Sequence, residues 1–267
     1  MRYCVILNMR HERGFHCRNE GTVKMQAINV LAFSVIAGIA TLIGVALVFY
    51  KEKLARANSI YLISFAAGIM LATALVHIIP ESLKLNEKGA ATAILAGILI
   101  FYLLQTFMIL HSHEEGQEAH QIGILSLIGL TFHSLLDGVA IVAGFEANYK
   151  IGLLMTLAVL LHEFPEGVMT TGILLHSGMQ RSKVLAYSIL VAVATPVGAI
   201  MSYFILSGLS ISEGIIGILL ALAGGSFIYV AAVDLIPETQ KELKLPNVAL
   251  LIAGILFITV ISHLFGE

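Results

Sequence analysis

Two short stretches decide how this chain is interpreted: His-Ser-Leu-Leu-Asp-Gly at residues 133–138 and His-Glu-Phe-Pro-Glu-Gly at residues 162–167. Each stretch places a histidine four residues before a carboxylate, within a long apolar segment. Because an α-helix turns once in about 3.6 residues, positions i and i+4 share one face. No lysine or arginine lies between Lys88 and Lys150 or between Lys150 and Arg181. These acids therefore have no basic partner on their own helices, and a bound cation or protons would compensate their charge.

Composition places the chain in a membrane. Of its 267 residues, 58% are hydrophobic and 12% are charged, and the mean hydropathy is +0.93. A soluble domain would carry far more polar residues, and the continuous apolar runs differ from the alternation of a membrane β-barrel. The fold class is therefore an all-α polytopic membrane protein. No basic patch suggests a nucleic-acid partner, and Cys4 and Cys17 are too few for a disulfide framework.

Eight apolar segments are long enough to cross a bilayer, which takes about 20 residues. Residues 26–267 then form one membrane domain with short connections. Residues 1–25 carry five lysines and arginines and only a short apolar run. We interpret them as a poorly ordered tail or as a wrongly assigned start, with Met25 as the true initiator. The predicted segments, numbered one to eight, lie at about 27–50, 57–79, 90–111, 121–144, 151–175, 184–207, 214–236 and 247–265.

Loop charge predicts the orientation of these segments. One side of the membrane receives seven lysines and arginines and the other receives three, if the tail is set aside. The more basic side is expected to be cytoplasmic, so that both termini face out of a plasma or inner membrane. The five basic residues of the tail oppose this orientation. The seven are Lys51, Lys53, Arg56, Arg181, Lys183, Lys241 and Lys244, and the three are Lys84, Lys88 and Lys150.

An internal repeat relates the two halves of the chain at an offset of 157 residues. It aligns Ala-Leu-Val-His-Ile-Ile-Pro-Glu at 74–81 with Ala-Ala-Val-Asp-Leu-Ile-Pro-Glu at 231–238, and Gly68 with Gly225. Segments two and seven cross the membrane in opposite directions, so the repeat is inverted, which is typical of transporters. The predicted architecture is a 3+2+3 bundle: repeat one at 27–112, central helices at 121–175 and repeat two at 184–267.

The central helices bring together the groups that could bind a metal. His133 and His162 lie roughly 17 Å into their segments, near the middle of a ~30 Å hydrocarbon core. Asp137 and Glu166 lie one turn further along, and antiparallel helices place all four at one depth. Imidazole nitrogen and carboxylate oxygen suit Zn²⁺, Fe²⁺ or Mn²⁺. The alternative is that these groups only hydrogen-bond the helices together.

Further polar residues lie at both ends of the predicted bundle. His77 and Glu81 are at the outer end of segment two, where they could form an entrance for metal. Asp234 and Glu238 are at the inner end of segment seven, where they could form an exit. The alternative is that they are ordinary helix-end residues in water.

The loop at residues 111–120 joins segments three and four on the predicted cytoplasmic side. It contains His111, His113 and His120 with three glutamates and no basic residue. Short histidine-rich tracts often bind metals loosely. We therefore predict metal contact here, against the alternative of a solvated polar loop.

These motifs resemble the ZIP family of divalent metal transporters, the zinc/iron-regulated transporter-like proteins. The resemblance covers all eight segments and is most specific in the two stretches at 133–138 and 162–167. It implies an eight-helix 3+2+3 fold with both termini outside. It also implies a transport site at His133, Asp137, His162 and Glu166, with Glu163 beside them.

The chain departs from the family pattern where a second metal would bind. Ser134 stands where many members have asparagine, and Asp137 where many have glutamate. Thr195 stands where some members carry a glutamate before the proline of segment six. Ser134, Glu163 and Thr195 would form the second metal position, so we expect one strong metal site and a weak or absent second.

Three functions compete at this stage. The first is import of a divalent transition metal, with zinc ahead of iron, manganese and cadmium as substrate, no cofactor and no enzymatic activity. The second is an intramembrane zinc protease, because residues 162–166 look superficially like His-Glu-x-x-His; against it, the second histidine is Glu166 and Pro165 interrupts the helix. The third is a membrane scaffold or sensor with a structural metal. Partners are the metal ion and the bilayer, and the sequence leaves monomer and homodimer open.

Overall fold

The structure is a computed structural model that describes residues 3–9, 12–18, 20–111, 118–208, 212–240 and 244–264. Its side chains are described from residue 28 onward, apart from 56–57, 108–126, 176, 207–211, 241–243 and 265–267. The three histidines of the predicted metal-binding loop, His111, His113 and His120, fall outside the described side chains. Metal contact by this loop therefore stays a prediction.

Helices make up the membrane part of the chain. Before the first helix, two strands pair antiparallel, with Tyr3 opposite Arg18, in a segment where the sequence indicated no regular structure. The elements are β1 (Tyr3–Met9), β2 (Glu12–Arg18), α1 (Glu20–Ala72), α2 (Ile79–Leu85), α3 (Ala90–His111), α4 (Glu118–Ala147), α5 (Tyr149–His176), α6 (Arg181–Gly208), α7 (Glu213–Tyr229), α8 (Ile236–Gln240) and α9 (Leu245–Leu264).

Eight stretches of helix in the described residues are long and apolar enough to cross a membrane, which confirms the predicted number and class. The chain is therefore a multi-pass integral membrane protein. The first stretch and the beginning of the second lie within α1, whose backbone leaves the helical conformation at Lys51. We call them spans 1 to 8: Ile28–Ala55, Asn58–Leu85, Ala90–Phe107, Leu127–Ala147, Tyr149–Leu175, Arg181–Leu206, Glu213–Gln240 and Leu245–Leu264.

Close glycine contacts reproduce the inverted repeat. A Cβ built on Gly68 in span 2 would lie 2.1 Å from the carbonyl oxygen of Leu251 in span 8. A Cβ built on Gly225 in span 7 would lie 2.2 Å from the carbonyl oxygen of Ile94 in span 3. Both partners of the first contact map onto the second by the offset of 157 residues. Only a glycine lets two helix backbones approach so closely, and the repeat places one at each crossing.

Spans 1 and 6 follow a different register. Gly44 in span 1 approaches the carbonyl oxygen of Phe164, and Gly198 in span 6 approaches that of Leu135. Gly44 and Gly198 are 154 residues apart, so the single predicted offset of 157 is three residues too long for this pair. The connection between spans 6 and 7 is therefore three residues longer than the connection between spans 1 and 2. Loops tolerate such insertions, whereas packed helices do not.

The glycine contacts divide the eight spans into two groups of four. Spans 1, 4, 5 and 6 touch through Gly38, Gly44, Gly138, Gly167 and Gly198. Spans 2, 3, 7 and 8 touch through glycines at the positions equivalent by the 157-residue offset: Gly68, Gly97, Gly225 and Gly254. The central helices therefore pack with the first span of each repeat. Among the remaining spans, span 2 packs against span 8 and span 3 packs against span 7.

Two π-helical turns interrupt spans 2 and 7 at equivalent places. They cover Thr73–Ile78 and Val230–Leu235, which are related by the same offset of 157. Pro80 and Pro237 follow two residues after each turn. Proline has no N–H and its ring clashes with the carbonyl four residues earlier, so the helix before it widens to a longer hydrogen-bond spacing. His77 and Asp234, the predicted entrance and exit residues, lie inside these turns.

Candidate metal centre

Four side chains meet between spans 4 and 5, and we call them the midplane cluster: His133, Asp137, His162 and Glu166. Each offers one ligand atom, and the four atoms all lie within 4.8 Å of one another. The exposed fractions of these residues are only 1–6%. Three distances define the cluster: 3.2 Å from His162 Nε2 to Asp137 Oδ2, 3.4 Å from His133 Nε2 to the same oxygen, and 3.8 Å from His133 Nε2 to Glu166 Oε2.

These spacings fit a tetrahedral metal ion. Zinc lies about 2.0–2.2 Å from nitrogen and oxygen ligands, so two ligands of one tetrahedral ion are roughly 3.4 Å apart. The three distances given above lie on both sides of that value, and the remaining pairs of ligand atoms lie within 4.8 Å of each other. The charges also balance, because two neutral imidazoles and two carboxylates neutralise one divalent cation.

The ring of His162 is held in the orientation that a metal ligand needs. Its Nδ1 lies 2.8 Å from the carbonyl oxygen of Ala158, one turn earlier on span 5. A carbonyl only accepts, so Nδ1 carries the hydrogen, and Nε2 faces Asp137 Oδ2 at 3.2 Å, a contact that a proton or a metal ion between the two atoms would make favourable. A hydrogen bond from the far nitrogen is the usual support of a metal-bound histidine.

The ring of His133 is oriented by packing. In the part of the chain that the structure describes, neither ring nitrogen makes a hydrogen bond, although both are buried. The edge of Phe101 from span 3 meets the ring at 88°, with centroids 5.7 Å apart. A buried imidazole without a partner costs free energy, and a cation bound at Nε2 would remove part of that cost.

Glu163, predicted beside the transport site, points elsewhere. Its carboxylate accepts hydrogen bonds from the hydroxyls of Thr41 in span 1 and Thr195 in span 6. It is not among the four residues whose ligand atoms converge in the described part of the chain. Ser134, the other residue of the predicted second metal position, lies 2.9 Å from Glu166 Oε1. Two threonine hydroxyls thus pair with Glu163, and the hydroxyl of Ser134 pairs with Glu166.

Thr41 is a neighbour of Glu163 that the sequence interpretation missed, although the sequence contains a signal for it. Thr41 and Gly44 in span 1 repeat the spacing of Thr195 and Gly198 in span 6, at the offset of 154. A register adjusted by three residues would have aligned the two threonines. Their pairing on one carboxylate is visible only when spans 1, 5 and 6 are packed together.

A cavity of about 760 Å³ runs from the midplane cluster to one end of the bundle, and we call it the inner cavity. His133, His162 and Glu166 line it at the cluster. Ser59 and Glu238 line it near the connections of spans 1–2 and 7–8. We call this end the inner end, since it is the predicted cytoplasmic side.

The predicted exit and entrance residues differ in their surroundings. Asp234 and Glu238 line the inner cavity, whereas His77 and Glu81 are not among its lining residues. At the outer end, the amide of Asn148 donates to Glu81 Oε1 at 2.9 Å. His77 Nδ1 lies 3.5 Å from the hydroxyl of Ser262. Among the described residues, the inner cavity thus connects the midplane cluster with the inner end, while polar contacts bridge the spans at the outer end.

The fold and the midplane cluster define a class: a multi-pass membrane protein with an inverted repeat and a buried histidine–carboxylate cluster. Comparison with known families narrows it. The model of the family described as ZIP zinc transporter matches residues 109–262, more than half of the chain. This chain belongs to the ZIP family of zinc transporters.

Several relatives are similar over most of both chains. The chain is 27% identical to the zinc transporter zipt-7.1 of Caenorhabditis briggsae, over 82% of this chain and 72% of that protein. It is 31% identical to the zinc transporter ZIP13 of Pongo abelii, over 75% of this chain and 66% of the relative. It is 25% identical to the zinc transporter ZIP9-A of Xenopus laevis, over 79% of this chain and 84% of that protein.

Proposed function

We propose that this protein carries divalent transition-metal ions, zinc first among them, into the cytoplasm through the midplane cluster. The carrying observation is the convergence of four buried ligand atoms with spacings suited to one tetrahedral ion. His133, Asp137, His162 and Glu166 would bind the ion. Membership of the ZIP family and the relatives named as zinc transporters support zinc as the substrate.

The inner cavity supports inward release. An ion leaving the cluster would pass Asp234 and Glu238 and then meet the loop of His111, His113 and His120. Entry would pass His77 and Glu81 once the contacts at the outer end have opened. Movement between the two glycine-packed groups of spans would expose the cluster to each side in turn, because close packing within each group favours rigid-body motion. The excess of basic residues at the inner end supports an orientation with both termini outside. The membrane we propose is a plasma or inner membrane.

Transport explains the surroundings of Glu163 better than proteolysis does. The base of a zinc protease has to reach a metal-bound water. The carboxylate of Glu163 instead accepts from the hydroxyls of Thr41 and Thr195. No described contact favours proteolysis or a purely structural metal, so we propose that the protein is not an enzyme.

Uptake of radioactive zinc into proteoliposomes tests the proposal. His162→Ala should reduce uptake to the level of empty liposomes, because it removes one of four ligands. Thr156→Ala is the matched control: Thr156 is a buried polar residue of the same span, and its hydroxyl bonds the carbonyl of Gly152 at 2.8 Å. Equal uptake by wild type and His162→Ala would refute the transport site.

A parallel variant separates transport from proteolysis. Glu163→Gln should keep most zinc uptake, since an amide can still pair with both threonine hydroxyls. Cleavage of a membrane peptide by the wild type, abolished in Glu163→Gln and without any zinc flux, would favour the protease instead.

A further inference from the structure

Three polar side chains form a hydrogen-bonded chain on the wall of the inner cavity. Gln105 in span 3 donates from Nε2 to Asp234 Oδ1 at 2.8 Å. The hydroxyl of Tyr229 donates to Gln105 Oε1. All three residues line the inner cavity together with His133, His162 and Glu166 of the midplane cluster. Gln105 and Tyr229 had no role in the sequence interpretation.

The direction of this chain follows from the chemistry of its members. A carboxylate only accepts hydrogen bonds, so the nitrogen of the Gln105 amide has to face Asp234. The amide oxygen then faces Tyr229, whose O–H has to donate. The carboxylate disfavours the flipped amide, which would place its oxygen against Asp234, and the hydrogen bond from Tyr229 holds the amide oxygen in place. The bond to Oδ1 leaves Oδ2 of Asp234 as the oxygen that can meet a cation.

The hydrogen-bonded chain is linked to the midplane cluster through the ring of Phe101. Phe101 lies one turn before Gln105 on span 3, and its ring meets both His133 and Tyr229, at centroid distances of 5.7 Å and 6.3 Å. His133, Phe101 and Asp234 all line the inner cavity. Asp234 also lies in the π-helical turn of span 7, and such turns frequently occur at functional sites.

We propose that Gln105 and Tyr229 are positioning residues for metal release, which hold Asp234 as the first acceptor of a divalent cation leaving the midplane cluster. A carboxylate fixed on the cavity wall lowers the barrier for ligand exchange, because less reorganisation is needed as the ion arrives. The inference rests on the proposed transport function. It assigns Gln105 and Tyr229 to the rate of release and not to the affinity of the midplane cluster.

The test measures zinc flux into proteoliposomes that contain a fluorescent zinc indicator, over a range of zinc concentrations. Gln105→Leu should lower the maximal rate about tenfold, the factor expected for one hydrogen bond to a charged group. Tyr229→Phe should lower it less, since it frees the amide without removing it. Tyr50→Phe, the same change at an exposed tyrosine, is the matched control.

Two further measurements separate positioning from simple helix adhesion. Zinc binding to the purified variants at equilibrium should match the wild type, and so should their thermal unfolding. Asp234→Asn should slow flux, and adding Gln105→Leu to it should have no further effect, because Gln105 acts through Asp234.

Each other outcome overturns the inference. Maximal rates equal to wild type in Gln105→Leu would refute it while the transport function stands. Losses of rate that follow losses of thermal stability, or that add in the double variant, would reduce the chain to a structural contact. A wild type without zinc flux would refute the proposed function itself, and this inference with it.

Discussion

At the scale of single residues, two of the three side chains of the predicted second metal position are hydroxyls. Glu163 accepts hydrogen bonds from Thr41 and Thr195, and Ser134 contacts Glu166. A threonine hydroxyl is a weak ligand beside a carboxylate, and it already satisfies Glu163 without a metal. The surroundings of Glu163 are therefore consistent with the sequence expectation of one strong site.

Thr195→Glu should create the second site. It places a carboxylate beside Glu163 with no basic residue to balance the pair, and a second divalent cation is the available compensation. Zinc content of the purified protein, measured by elemental mass spectrometry, should rise from about one ion per chain toward about two. Thr195→Gln, of equal size and without charge, should leave the content at the wild-type value. An unchanged zinc content in a folded Thr195→Glu variant would contradict this account.

At the scale of helices, glycine decides how closely the spans approach each other. The groups that face Gly68 and Gly225 are backbone carbonyls of the neighbouring spans, and a backbone cannot move aside as a flexible side chain can. Gly172 on span 5 differs, because a Cβ built there would meet nothing within 4 Å. Sequence position alone does not separate these glycines, since all three lie within apolar spans.

Gly68→Ala should destabilise the protein, because the added methyl group would force spans 2 and 8 apart. Overpacking costs about 1–3 kcal/mol, which corresponds to a melting temperature lower by about 2–10 °C. Gly172→Ala should be neutral or slightly stabilising, since alanine favours helix and the space is open. Thermal unfolding in detergent measures both variants, and equal melting temperatures would refute the packing argument.

At the scale of the whole molecule, the inner cavity gives the two ends of span 5 different access to water. Gly172 lines the cavity. Thr156, toward the outer end of the same span, is buried and is not among the lining residues. An asymmetric protein of this kind exposes its cluster to one side of the membrane at a time.

Gly172→Cys should therefore react with a membrane-impermeant maleimide, and Thr156→Cys should not. The background is a protein in which Cys4 and Cys17 are replaced by serine. Labelling of Gly172→Cys should require permeabilised cells, because the inner end is expected to face the cytoplasm. Labelling in intact cells would reverse the proposed orientation, and equal labelling of both cysteines would contradict the one-sided cavity.

The number of spans and the four residues of the midplane cluster could be predicted without coordinates. Membrane helices can be recognised in a sequence by their length and their apolar composition. A histidine and a carboxylate four residues apart share one helix face wherever that helix packs. The inverted repeat could also be recognised in the sequence, because Pro80 and Pro237, each followed by a glutamate, are related by the offset of 157 residues.

The contacts between distant spans could not be predicted in the same way. The register of spans 1 and 6 depends on a connection whose length the repeat does not constrain. The partners of Glu163 come from spans 1 and 6, and the chain of Gln105, Tyr229 and Asp234 joins spans 3 and 7. Periodicity specifies which face of a helix is polar, but it does not say which other helix that face meets.

The sequence by itself thus determined the class of protein, the membrane crossings and the groups able to bind a metal. These depend on local composition and on the geometry of a single helix. Only the tertiary structure decided that Glu163 is held by threonines, that the cavity reaches the inner end, and that Asp234 is aligned by a neighbouring amide. Those features depend on packing between residues on different spans, which no local pattern encodes; Thr195 lies 32 positions from Glu163, and the other three hydrogen bonds join residues more than 100 positions apart.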